Sequence, residues 1–150
     1  METNNTSLNR IELSTGSFSV EELEALFCTM PAEVSFVDKD DIVRFFSNKT
    51  ERFFLRSPAA IGKDMRVCHP KKYLKMVEQI LADFKSGKEI HALFWRSAHM
   101  GKFISIEYFA LKDKGGNYLG TLEIVQDISD LRILEGDSNE IFYPQPKAKD

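Results

Sequence analysis

KFISIEYFALKDKGGNYLGTLEIVQDIS, residues 102–129, holds two runs rich in β-branched and aromatic residues on either side of a Gly-Gly turn. That pattern is the signature of two antiparallel strands joined by a short polar loop. A third run, 89–97, precedes them across Ala98-His99-Met100-Gly101, so three consecutive strands are predicted over 89–97, 102–112 and 118–129. In the middle strand Ile104, Ile106, Tyr108 and Ala110 point one way, and Phe103, Phe109 and Leu111 point the other. A sheet built on it is apolar on both faces, and each face needs a cover.

The cover for one face lies just upstream. In KKYLKMVEQILADFKSGK, residues 71–88, Tyr73, Val77, Ile80, Leu81 and Phe84 recur at three- and four-residue steps, and Gly87 stands where a helix stops. Earlier still, Val34, Phe36 and Asp38 alternate on one predicted strand, and Asp38-Lys39-Asp40-Asp41 turns the chain into a second, 42–46. Asn48 is placed to cap a short helix through Phe53 and Phe54. At the N-terminal side, Ser19-Val20-Glu21-Glu22 reads as a capping box for a helix from Val20 to Thr29 that ends before Pro31, with Leu23, Leu26 and Phe27 on one stripe. This helix, or a second subunit, is the natural cover for the remaining face. Residues 1–17, rich in Asn, Ser and Thr, are expected to be a flexible leader, and the Pro-containing residues 136–150 a trailing tail.

A chain of 150 residues fits one domain with a single core. Its formal charge of −3 carries none of the basic character that nucleic-acid binding requires, so no nucleic-acid partner is expected. There is no secretory signal pattern and no apolar run of membrane-spanning length, and only two cysteines, Cys28 and Cys68. We therefore expect a cytoplasmic protein with free thiols and no membrane partner.

Catalytic and metal constellations are weak. Cys68, His69, His91 and His99 could supply four zinc ligands on paper, but no CxxC or HxxxH spacing supports them, and no metal site is expected. Cys68 and His69 are sequence neighbours whose side chains diverge, which disfavours a nucleophile and its base, and Gly115-Gly116 is a hairpin turn, not a phosphate loop. The expectation is a protein that is not an enzyme. The charged runs Lys71-Lys72 and 147–150 read as solvated surface.

The layout resembles a PAS domain, an α+β fold. The resemblance rests on Val34-Ser35-Phe36-Val37-Asp38 with its turn, the Ile61-Gly62-Lys63-Asp64 bend before the long helix, Gly120-Thr121-Leu122-Glu123 entering the last strand, and the ending Val125-Gln126-Asp127-Ile128-Ser129. It covers residues 31–135, with 18–30 as an N-terminal flanking helix. Within PAS domains the chain is similar to a subgroup found at the C-terminus of bacterial proteins of unknown function that carry a hemerythrin-like domain. There Cys-His-Pro, here Cys68-His69-Pro70, recurs with a Phe-Lys-Ser-Gly-Lys helix end, here 84–88.

The resemblance implies a five-stranded antiparallel sheet with helices on one face, enclosing a pocket that is filled in some members and holds a ligand in others. It also implies that such domains signal through their flanking helices, for which the segment 130–135 is a second candidate, and that they commonly form homodimers. Candidate pocket-lining residues are Phe36, Phe46, Phe53, Met65, His69, Tyr73, Val77, Trp95 and Tyr108, and Arg44 or Arg96 could anchor a carboxylate. Asp127 and Ser129 mark the exit toward a downstream element. A photoactive flavin is disfavoured, since Met65 stands where light-sensing members have the reactive cysteine and Val125 where they have a glutamine. Haem is the better chemical candidate, with His69 as axial ligand or Cys68 as thiolate, and a helix N-terminus beside Cys68 would make it a redox-reactive thiol, so a haem- or redox-sensing domain is a further alternative. Against this stands the reading of Cys68-His69-Pro70 as simply the start of the long helix, bordering the pocket. Two readings stay open: a sensory module for a small-molecule ligand, or a filled interaction module acting by dimerisation.

Overall fold

The computed structural model describes residues 9–144. A two-stranded hairpin comes first, β1 (Arg10–Leu13) and β2 (Gly16–Ser19), followed directly by α1 (Val20–Thr29). The main sheet takes β3 (Glu33–Asp38) and β4 (Val43–Phe46), then the helices α2 (Met65–Cys68) and α3 (Lys71–Ser86), and closes with β5 (His91–His99), β6 (Lys102–Lys112) and β7 (Tyr118–Asp127). Its order is β4-β3-β7-β6-β5, all antiparallel. The predicted five-stranded antiparallel α+β sheet is what forms.

The local reasons are the ones the sequence carries. Ser19 Oγ accepts from Glu22 N–H at 3.1 Å while Glu22 returns a carboxylate to the Ser19 N–H at 2.9 Å, so α1 starts with a complete capping box. Gly87, with φ of 76°, ends α3 in the left-handed conformation. The buried stripe of α3 is Val77, Leu81 and Phe84. Phe84 joins Ile104, Ile106, Tyr108 and Val125 in the core, while Val77 and Leu81 pack with Val43 and Met65. On the other face of the sheet, the Phe27 ring of α1 lies 4.8 Å from that of Phe45 on β4, covering that end alone.

Three expectations need correction. Residues 10–17, expected within a flexible leader, form the β1–β2 hairpin together with Phe18 and Ser19, because Arg10 reaches across it to Ser17 and then to the Glu22 carboxylate at 2.8 Å; residues 1–8 lie outside the described residues. The helix expected from Asn48 through Phe54 is absent, and 47–57 is an irregular loop held by side chains instead. Lys49 donates to the carbonyls of Cys28 and Met30, and Arg52 to those of Ser47 and Phe54. The Arg52 guanidinium pairs with buried Glu33, whose carboxylate also accepts from the Phe53 N–H. Finally, Pro70 is the N-cap of α3 with no side-chain cap, and Cys68-His69 closes α2; the two helices break at His69, whose extended backbone is what a following proline imposes. Residues 130–135 form only a single 3-10 turn at Leu131–Ile133. Of the expected tail, 136–144 is exposed chain without regular structure and 145–150 lies outside the described residues.

Candidate functional site

Register decides which side chains face α3. Ile106 on β6 is opposite Val125 on β7 and Phe94 on β5; Tyr108 is opposite Glu123, which is opposite Ser35 on β3. Alternation then puts Glu33, Ser35 and Val37 on the inner face of β3 and Phe36 on the outer. The inner face thus carries buried polar groups. Glu123 is satisfied on both oxygens, accepting the Tyr108 hydroxyl on one and Arg56, from the 47–57 loop, on the other at 2.7 Å, whereas the Ser35 hydroxyl is buried without a hydrogen-bond partner.

Two cavities meet at this group, sharing Arg56, His69, Val77, Tyr108 and Glu123 in their walls. The deeper one, about 40 Å³, is closed by Val43, Met65, Cys68 and Leu81. The outer one, about 180 Å³, is bounded by Phe54, Tyr73, Met76, Phe94, Arg96, His99 and Ile106. Apolar walls with a few convergent polar groups are the usual make-up of a small-molecule site. His69 holds Nδ1 2.9 Å from the Met65 carbonyl, so Nδ1 carries the hydrogen and Nε2 keeps its lone pair while the ring is neutral. His99 Nε2 likewise meets the Phe53 carbonyl at 3.0 Å. Burial, with the Glu123 carboxylate beside it, pushes the Tyr108 hydroxyl far above its usual range. At the mouth, hydrogen bonds with Lys72 and then Arg96 draw the Tyr73 hydroxyl below its own.

Of the residues expected to line a pocket, Met65, His69, Tyr73, Val77 and Tyr108 stand on one or both cavities. Four do not. Phe36 is on the outer face of β3, its ring against Gly120. Phe46 sits under the Arg52 guanidinium and beside α1, at the end of β4. Phe53 packs on His99 next to the core, and its neighbour Phe54 takes the cavity wall. Trp95 is on the outer face of β5, 59% exposed. Arg96 is at the cavity mouth, whereas Arg44 pairs with Asp38 on the sheet edge. The alternation of β3 and β5 names two faces without saying which is inner, and hydrophobicity alone points the aromatic residues inward on both. Arg56 and Glu123 were missed as site residues, although Glu123 sits in the Gly120-Thr121-Leu122-Glu123 stretch, and its pairing with Tyr108 across the last hairpin could have found it.

At the exit of β7, Ser129 accepts the Phe103 N–H at 2.9 Å and donates its own N–H to Asp127 at 2.9 Å. Together the cavities fall below the roughly 300 Å³ at which sites for drug-sized ligands begin, and a porphyrin is larger than those; the residues present do not fit haem. No group of three or more His, Cys, Asp or Glu side chains placed to hold a metal occurs among the described residues, nor does any helix long and apolar enough to cross a membrane.

The fold and its enclosed inner-face cavities are those of a PAS-like α+β domain. A PAS-domain family model matches residues 23–129, and the chain belongs to the PAS domain family. It is similar to the crystal structure of a C-terminal domain from Streptococcus mutans, at 30% identity and a TM-score of 0.80 over 85% of this chain and 98% of that one. The PAS domain of BvgS from Bordetella pertussis shares the fold at 18% identity and a TM-score of 0.53, over 73% of this chain and 86% of that one. A sensory box sensor histidine kinase from Vibrio cholerae does so at 11% identity and 0.50, over 71% and 89%. No curated protein sequence matches the chain.

Proposed function

We propose that this PAS domain is a non-catalytic sensory and signalling module that binds a small molecule between the inner face of the sheet and α3. The observation that carries the reading is the pair of cavities meeting at Arg56, Tyr108 and Glu123, charged and polar groups held inside an otherwise packed core. Occupancy would shift α3 against the sheet and pass to the chain ends at α1 and at Asp127-Ile128-Ser129. The fold shared with the sensory box of a sensor kinase favours a signalling role, and the absence of a membrane-length helix among the described residues accords with action in the cytoplasm. The Cys68-His69-Pro70 and 84–88 stretches, with the likeness to a C-terminal domain, favour the subgroup that accompanies hemerythrin-like domains. Native mass spectrometry of the purified protein tests the ligand: a bound small mass released on denaturation supports it, and an unliganded protein that no member of a small-molecule panel stabilises against heat overturns it.

A second reading, dimerisation through the outer face, draws on Leu93 and Trp95, 50% and 59% exposed beside one another on β5 where α1 does not reach. Trp95 is the one tryptophan of the chain. Its emission should shift to the blue and lose quencher access with rising protein concentration if two copies pair on that face. An unchanged spectrum in a monomer would remove this reading.

A further inference from the structure

We infer that the ligand of the inner-face cavity is a small organic anion, a carboxylate on a compact apolar body. The inference rests on the pocket reading above and narrows it to a chemical class. Among the described residues, the walls of the two cavities carry two guanidinium groups, Arg56 and Arg96, and one carboxylate, Glu123. Glu123 is already engaged on both oxygens, by Arg56 and by the Tyr108 hydroxyl. The arginines are not: each has five N–H donors. Arg56 is bonded through Nη2 to Glu123, and Arg96 through Nη1 to the Trp95 carbonyl at 3.3 Å and to the Tyr73 hydroxyl, which leaves donors free on both.

The charged groups of the site therefore leave guanidinium donors unfilled and a surplus positive charge at its mouth. A ligand that brings two carboxylate oxygens supplies both deficits, and charge-assisted bonds to guanidinium are about twice as strong as neutral ones. An amine or guanidine would face two guanidinium charges and a carboxylate already bonded on both oxygens, with neutral acceptors such as the His69 ring nitrogen in place of a free anion. The remaining walls, Phe54, Met76, Phe94 and Ile106, call for an apolar body. With about 180 Å³ available, that body and its carboxylate together amount to on the order of ten non-hydrogen atoms. Arg96 also leans toward Tyr73, its guanidinium 6.0 Å from the ring centre, so the cation stands over the opening and not out along the strand.

The test is a titration followed by amide NMR, with phenylacetate as probe and phenylacetamide as its neutral isostere. Phenylacetate should produce saturable shifts at Val77, Phe94 and Tyr108, with the amide at least about tenfold weaker. Arg96→Gln, at an exposed position that leaves the core intact, should erase that preference. Arg56→Lys, which keeps a charge beside Glu123, should weaken phenylacetate binding while the protein stays folded. If the amide binds as tightly as the acid, the anion is wrong and the pocket stands. If neither probe gives saturable shifts at those amides at millimolar concentration, the anion and the pocket fall together.

Discussion

Tyr108 and Glu123 face each other across β6 and β7, and the hydroxyl of one is donated to the carboxylate of the other inside the core. The pair keeps Tyr108 protonated past the pH at which a free tyrosine, with its value of 10.0, gives up its proton. Above that pH the unfolded chain binds fewer protons than the folded one, so stability is complete below it and declines as pH rises. Tyr118, raised chiefly by its own burial, adds to the same slope. Denaturant melts at steps from pH 9 to 11 should show the midpoint falling above about 10, and Tyr108→Phe should flatten part of that fall. Identical slopes for the two proteins would mean that the pair does not hold the proton.

Gly120 has φ of 156°, and a Cβ there would lie 2.2 Å from the Val37 carbonyl oxygen and 2.5 Å from the Phe36 ring. A backbone oxygen in a sheet cannot step aside. Gly120→Ala should cost more than about 2 kcal/mol in urea melts. Gly87→Ala, at φ of 76° with nothing within 4 Å, meets conformational strain alone and should cost about 1 kcal/mol. Equal losses at the two positions would show that the close approach to β3 is relieved by a shift of strands.

Ser19→Ala removes one half of the capping box and should lower stability by about 1 kcal/mol, with Ser19→Asp near the parent protein. Because Glu22 also holds Arg10, the same substitution should raise hydrogen exchange in the β1–β2 hairpin. Protection there that does not change would detach the hairpin from the cap.

Added hemin should leave the Soret region as it is for free hemin, in the parent protein and in His69→Ala alike, since the cavities have no room for the macrocycle. A sharp band lost on His69→Ala would show that the cavity opens well beyond its present size.

How far the sequence could be read follows from which signals are local. The long helix was plain because its apolar steps and Gly87 lie within one segment, and the capping box because its two bonds span three residues. Short loops give the pairing of β3 with β4 and of β5, β6 and β7 in turn, but not the place of β3 beside β7, which is a long-range pairing. The inner face of β3 was not legible, since Glu33 and Ser35 look like solvent-facing residues until Arg52, seventeen or more positions away, comes to lie on Glu33. For the same reason hydrophobicity alone points Phe36 and Trp95 inward, where the structure has them on the outer face. Long-range pairing of charges across a loop leaves no periodic trace.

The loop that carries Phe54 and Arg56 owes its shape to its own Arg52 and to a carboxylate outside it. Its turns are fixed by Arg52 on the Ser47 and Phe54 carbonyls and by the Glu33 carboxylate on the Phe53 amide and the Arg52 guanidinium, so β3, the strand beside β4, serves as part of its template. The cavity wall is in this sense a cast taken from the sheet. A substitution at Glu33, a residue outside both cavities, would remould the ligand's surroundings as surely as one at their lining, and specificity could drift between relatives without any change in the residues that touch the ligand.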